Sequence, residues 1–190
     1  MIKIIGGIKK RTTIQVPLND VRPTSVQKRE SIFSIIESYR IKNNQNTYEK
    51  INVLDLFAGS GALGLEAISR GAYFGYFYEN NIDVIHVLNN NCKKICRNNN
   101  FEIKKGNILK SNFEDIQRKI SLVFIDPPYE LNPFEKVLKN INQSKILCKN
   151  AIIILECSII LKIKFPSFLS CLNERNYGKT KIYFLINNIN

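Results

Sequence analysis

The chain has no tryptophan, one histidine, one methionine and five alanines among 190 residues, and it is short of acid, with 16 Asp and Glu against 28 Lys and Arg. Each scarcity excludes something. His86 is the only histidine, and none of Cys92, Cys96, Cys148, Cys157 and Cys171 forms a Cys-x-x-Cys pair, so the usual zinc-ligand spacings are missing and no metal is expected. Five thiols without framework spacing suit reduced side chains in a reducing compartment. No run of about 18 apolar residues occurs, which excludes a membrane-spanning helix. The apolar run at Met1–Gly7 is too short for a signal peptide, so the expected location is cytoplasmic.

The acid deficit leaves a net charge of +12. A chain this basic suits a polyanionic partner, usually nucleic acid. An AT-rich coding sequence gives the same signal without function, and 30 Ile, 24 Asn and 20 Lys make up 74 of the 190 residues. Charge alone does not choose between the two.

The apolar pattern is more informative. Ile2–Ile5 and Thr12–Val16 read as a hairpin across Gly6-Gly7 and Lys9-Lys10-Arg11, and Ser25–Tyr39 as a helix capped by Thr24 or Ser25. The polar stretch Lys42–Lys50 is the candidate linker to the main body. Strand-like runs then alternate with helical ones. The expected strands are Ile51–Phe57, Tyr73–Tyr78, Phe101–Lys105, Ile120–Ile125, Ala151–Glu156 and Thr180–Ile186. The expected helices are Ala62–Arg70, Ile82–Arg97, Asn112–Lys119 and Pro133–Ile141, and Lys164–Cys171 is ambiguous. This alternation predicts an α/β, doubly wound, mostly parallel sheet, whose ligands bind at the carboxyl ends of its strands.

Two of those ends carry chemistry. After the first strand, Asp55-Leu56-Phe57-Ala58-Gly59-Ser60-Gly61-Ala62-Leu63-Gly64 contains G-x-G-x-x-G, and Glu79 follows Gly59 by 20 residues. A dinucleotide would place pyrophosphate here, but Asp55 would repel it. S-adenosylmethionine carries an ammonium and a sulfonium and no phosphate, so a carboxylate at Asp55 suits it. Glu79 can accept hydrogen bonds from both ribose hydroxyls. After the fourth strand, Asp126-Pro127-Pro128-Tyr129 offers a carboxylate, proline-fixed carbonyls and an aromatic ring. Asp126 and the Pro127 carbonyl can accept the two hydrogens of an exocyclic amine while Tyr129 stacks on its ring. The amine lone pair then faces the methyl donor, and Asp126 takes the proton.

Taken in order, Ile4-Ile5-Gly6-Gly7, Arg22-Pro23-Thr24, Arg29-Glu30, Asp55–Gly64 with Leu65-Glu66-Ala67, Ser69-Arg70-Gly71-Ala72, Glu79, Asp126–Tyr129 and Tyr177-Gly178 with Thr180 resemble the RsmD family. That family methylates the exocyclic N2 of a guanine in small-subunit (16S) ribosomal RNA. The resemblance spans residues 2–186. It implies a seven-stranded Rossmann-like methyltransferase sheet over residues 46–190, preceded by an RNA-contacting hairpin and helix over residues 1–45, in one compact unit. It implies S-adenosylmethionine held by Asp55, Phe57, Gly59, Ser60, Gly61, Glu79, Asn107 and Thr24, with Arg29 and Glu30 helping to close the pocket. The target guanine would meet Asp126, Pro127, Pro128 and Tyr129. RNA phosphate would meet Lys9, Lys10, Arg11 and Arg22. The expected partner is 16S rRNA or an assembling small subunit, bound by a monomer. The sequence departs from the family at Asn107, where Asp is usual, and at Asn80–Asp83. Competing readings are an adenine-N6 methyltransferase acting on DNA, a non-catalytic RNA-binding or assembly protein on this fold, and a nicotinamide dehydrogenase.

Overall fold

A computed structural model describes residues 1–17, 25–45, 48–97, 100–128 and 131–189. Arg22, Pro23, Thr24 and Tyr129 lie outside them. Two short strands, β1 (Ile2–Lys3) and β2 (Thr13–Ile14), pair antiparallel and are followed by helix α1 (Val26–Lys42). The Ser25 side chain accepts from the Lys28 amide and caps that helix. The body runs β3 (Asn52–Asp55), α2 (Ala62–Ser69), β4 (Phe74–Glu79), α3 (Ile82–Ile95), β5 (Phe101–Lys105), a 3₁₀ turn (Ile108–Lys110), β6 (Ile120–Ile125) and α4 (Phe134–Ser144). It ends with β7 (Leu147–Ser158), β8 (Leu169–Tyr177) and β9 (Thr180–Asn187).

The seven body strands form one sheet in the order β5-β4-β3-β6-β7-β9-β8. The first five are parallel, and β9 is inserted antiparallel between β7 and β8. Strand order reverses between β3 and β6, so the crevice above their carboxyl ends is the expected ligand site.

Side chains alternate across the sheet. Val53, Phe77, Phe124, Ile154 and Phe184 face the core shared with α1, α2 and α3. Leu54, Tyr78, Val123, Ile153 and Leu185 face α4 and the chain around Phe113 and Ile116. The N-terminal residues Ile4, Ile14, Ile32, Phe33 and Ile36 belong to the first of these cores, with the Phe33 ring centred 5.8 Å from that of Phe124.

Two expectations need correction, and one stretch left open is resolved. Asn112–Lys119 is not a helix. Asn112 and Ser111 accept from nearby backbone amides, Phe113 takes a positive φ of 59°, and these local bonds replace helical ones. The ambiguous stretch from Lys164 ends in strand β8. This edge strand has a mostly exposed, polar sequence, so its pairing with β9 left no periodic signal. Pro133 is the N-cap of α4 instead of lying in its first turn.

Candidate functional site

Asp55 closes β3 on the face that α2 covers, and it is 2% exposed. Its Oδ2 accepts from the Gly64 amide at 3.0 Å. Burial pushes its carboxyl up to about 7; the Gly64 hydrogen bond pulls it down, and the Glu79 charge adds to the upward push. Among the described residues Asp55 makes no ion pair. Gly61, at φ 80°, caps the start of α2. At Gly64 a Cβ would collide with the Phe77 ring, so this glycine serves the packing of α2 on β4 and the short reach to Asp55. Ser60 is buried and its carbonyl accepts from Asn91 Nδ2 of α3 at 2.9 Å. Phe57 is half-buried and packs into the core on the opposite face from Asp55.

Glu79 ends β4 beside this loop. Its Oε2 accepts from the Gly59 amide at 3.1 Å, and its Oε1 from the amides of Asn80 and Asn81 at 2.8 and 3.0 Å. Three of roughly four lone-pair directions are engaged. One ribose hydroxyl fits as the carboxylate stands; a second would replace the Gly59 amide. Asn107 lies next to Glu79, because the Gly106 amide donates to the Glu79 carbonyl. Its Oδ1 accepts from Leu109 N at 2.9 Å and caps the 3₁₀ turn, leaving one acceptor lone pair for an adenine amine. A sulfonium-bearing amino acid suits this set: the carboxylates of Asp55 and Glu79 meet backbone amides and, among the described residues, no cation.

Asp126 follows β6, the neighbour of β3. Asp55 is level with Phe124, so Asp126 lies two residues further along the adjacent strand, on the same face. Strand spacing and rise put the two Cα atoms about 8 Å apart. Pro127 is buried and Pro128 exposed, and the Pro128 carbonyl accepts from the Leu131 amide at 2.9 Å.

The basic hairpin turn is elsewhere. Ile8 N donates to the Ser69 carbonyl at 2.8 Å, Lys9 N to Ser69 Oγ at 3.0 Å, and Ser69 Oγ to the Gly6 carbonyl at 2.6 Å. Lys9, Lys10 and Arg11 therefore sit at the C-terminal end of α2, about 12 Å along its axis from Gly61. The structure brings Asp55, Glu79, Asn107 and Asp126 together and leaves these three cations apart. Two features escaped sequence reasoning. One is the hub at Glu66, which accepts from the Ile5 and Gly6 amides at 2.7 Å each, pairs with Arg70 at 2.9 Å and lies 3.8 Å from Arg29. Its signal was a lone acid on an otherwise apolar helix. The other is Lys28–Glu156, paired at 2.5 Å, whose signal was an acid ending the apolar run Ile152–Leu155. Arg29 donates to the Lys3 carbonyl at 3.0 Å and so serves the hairpin.

A sheet of this order, with an acidic glycine loop on its first strand and Asp-Pro-Pro on its fourth, defines an S-adenosylmethionine-dependent methyltransferase of the Rossmann-like class. Residues 2–186 match the family described as Conserved hypothetical protein 95, and the chain belongs to that family, the RsmD family. It is 34% identical to ribosomal RNA small subunit methyltransferase D of Buchnera aphidicola subsp. Acyrthosiphon pisum, over 80% of this chain and 75% of that one. It is 30% identical to an uncharacterized methylase of Rickettsia prowazekii over 97% of both chains. The solved structure of yhhF from Escherichia coli superposes with a TM-score of 0.81 at 25% identity, covering 98% of both chains.

Proposed function

We propose that this chain methylates the exocyclic N2 of a guanine in small-subunit ribosomal RNA. The carrying observation is the juxtaposition, at the point where strand order reverses, of the buried Asp55 loop with the Asp126-Pro127-Pro128 loop one strand away. Relatives named ribosomal RNA small subunit methyltransferase D supply the RNA, and the chain's +12 charge agrees with it.

The bound cofactor would supply a methyl group activated by its positive sulfur, which keeps the electron pair of the broken C–S bond and departs as a neutral thioether. Asp55, Gly59, Ser60 and Gly61 hold its methionine end, where the Asp55 carboxylate balances an ammonium. Glu79 takes a ribose hydroxyl and Asn107 the adenine amine. A target base leaves its stack to enter, which costs a few kcal/mol unless the RNA already presents it from a loop. Asp126 and the Pro127 carbonyl accept the two amine hydrogens. That aims the nitrogen lone pair, and Asp126 takes the proton released as the new bond forms. Tyr129 supplies the stacking ring in this reading.

The test is methyl transfer from labelled cofactor to ribosomal RNA and to DNA, with modified nucleotides mapped. Label in DNA alone, or on adenine, overturns the assignment. Replacing Asp126 by Ala is expected to lower turnover at least 100-fold while cofactor affinity stays within threefold. Unchanged turnover removes Asp126 from the mechanism.

A further inference from the structure

Strand β7 outruns β6. Ile125 pairs with Leu155 at the end of β6, whereas β7 continues through Glu156, Cys157 and Ser158, held there by Ile182, Lys181 and Thr180 of β9. Three residues raise this wall about 10 Å above the last rung of β6. Glu156 is the first residue on it. It stands one register step past the Ile125–Leu155 pair, beside Asp126, and alternation from Ile154 puts it on the α1 face. Asp126 shares that face, two residues after Phe124.

The first turns of α1 lean on the wall at this point. Lys28 Nζ is 2.5 Å from Glu156 Oε1, with the two side chains 15% and 7% exposed, and the Ser31 hydroxyl bonds that of Tyr177 on β8. Burying an ion pair costs desolvation that apolar residues of the same volume would avoid. This one lies beside the group assigned to the target amine, on a wall that rises past it.

We propose that Glu156 selects guanine by accepting its ring N1–H, with Lys28 fixing the carboxylate in place; this rests on the guanine-N2 reading above. Guanine presents its 2-amino group and N1–H as neighbouring donors. Adenine presents its amine beside an N1 lone pair, and 2-aminopurine presents the 2-amino group beside the same kind of lone pair. A carboxylate accepts and cannot donate. Facing guanine it gains a charge-assisted hydrogen bond; facing either of the others it meets a lone pair, and both groups go unsatisfied. The Asp126-Pro127-Pro128 loop, which asks only for an amine, would suit all three bases. Glu156 is therefore a specificity residue, and Lys28 a positioning residue acting through it.

The experiment compares kcat/KM on a substrate RNA carrying guanine or 2-aminopurine at the methylated position. The wild type is expected to favour guanine at least about 100-fold, as sites built to pair a polar group reject analogues lacking it. With Glu156→Gln the side-chain amide can turn its NH2 to the bare ring nitrogen, and the ratio is expected to fall at least tenfold, partly through a gain on 2-aminopurine. Cofactor titration shows whether the variant is folded. If it is not, Glu156→Asp keeps the charge and withdraws the acceptor by one methylene, and is expected to slow guanine at least tenfold more than 2-aminopurine. A ratio unchanged from wild type in the folded variant overturns Glu156 as the selector and leaves guanine-N2 methylation standing. No transfer to guanine RNA by the wild type overturns the functional reading itself.

Discussion

The two ends of α2 handle a buried carboxylate in opposite ways. At its start, Asp55 has a single backbone amide for company, no ion pair among the described residues, and a carboxyl raised to about 7. At its end, Glu66 is also buried but accepts from two backbone amides and lies against two arginines, Arg70 and Arg29. The second is a finished structural joint. The first is a carboxylate whose compensation has been left out, which is costly unless a cation arrives. Perturbed groups of this kind are enriched at functional sites, and the contrast between the two ends of α2 is what the proposed cofactor role of Asp55 draws on.

The contrast can be broken in three ways. The largest effect is expected at the finished joint. Glu66→Ala takes the carboxylate from beside the buried Arg29 and the acceptor from the Ile5 and Gly6 amides, and should cost about 3–5 kcal/mol of stability, read by denaturant unfolding. A loss under about 1 kcal/mol would mean the joint is not built on that charge. Asp55→Asn should do the reverse, trading ligand affinity for stability. Cofactor affinity is expected to drop about 100-fold, seen by calorimetry. The carboxyl is raised in the folded state, so its ionisation opposes folding: its contribution is fully favourable below about 4 and is lost as pH climbs toward about 7. The variant should therefore melt several degrees above wild type at pH 8 and close to it at pH 4. Equal melting points at pH 8 would show that Asp55 is compensated after all. The smallest effect is at the hairpin turn. Neutralising Lys9, Lys10 and Arg11 should flatten the salt dependence of RNA binding, by roughly 0.7 in log–log slope for each phosphate of single-stranded RNA that the protein no longer neutralises. Removing three exposed lysines elsewhere should do less, and equal effects would assign the charge to general attraction.

Much of the site was legible because its chemistry is local. Asp55 to Gly64 and Asp126 to Pro128 are contiguous segments at strand ends, and both strands are apolar runs that announce themselves. Residue type narrowed the cap of α1 to Thr24 or Ser25, and Ser25 takes it. What stayed hidden joins distant parts of the chain. The Lys28–Glu156 pair spans 128 residues and the Glu66 hub about 60, and no periodicity records such a meeting. Strand β8 was hidden for a related reason: Ser170, Cys171, Leu172 and Glu174 are exposed, so it is a strand by virtue of β9. The Asn112–Lys119 stretch misled because buried Phe113 and Ile116 sit at helical spacing while turn-forming neighbours decide the backbone. The Lys9–Arg11 run was readable as basic but not as placed, since its position is set by Gly7, where a Cβ would collide with the Ser69 carbonyl.

The joint between hairpin and helix also has a timetable. The carboxylate that accepts from the Ile5 and Gly6 amides is synthesised 61 and 60 residues after them. At a synthesis rate of about 5–20 residues per second, those amides wait roughly 3–12 s for their acceptor. During that interval the apolar Ile4 can meet only α1, since α2 has not yet been made. The hairpin thus locks only after the Asp55–Gly64 loop, which precedes Glu66 in the chain, has been synthesised.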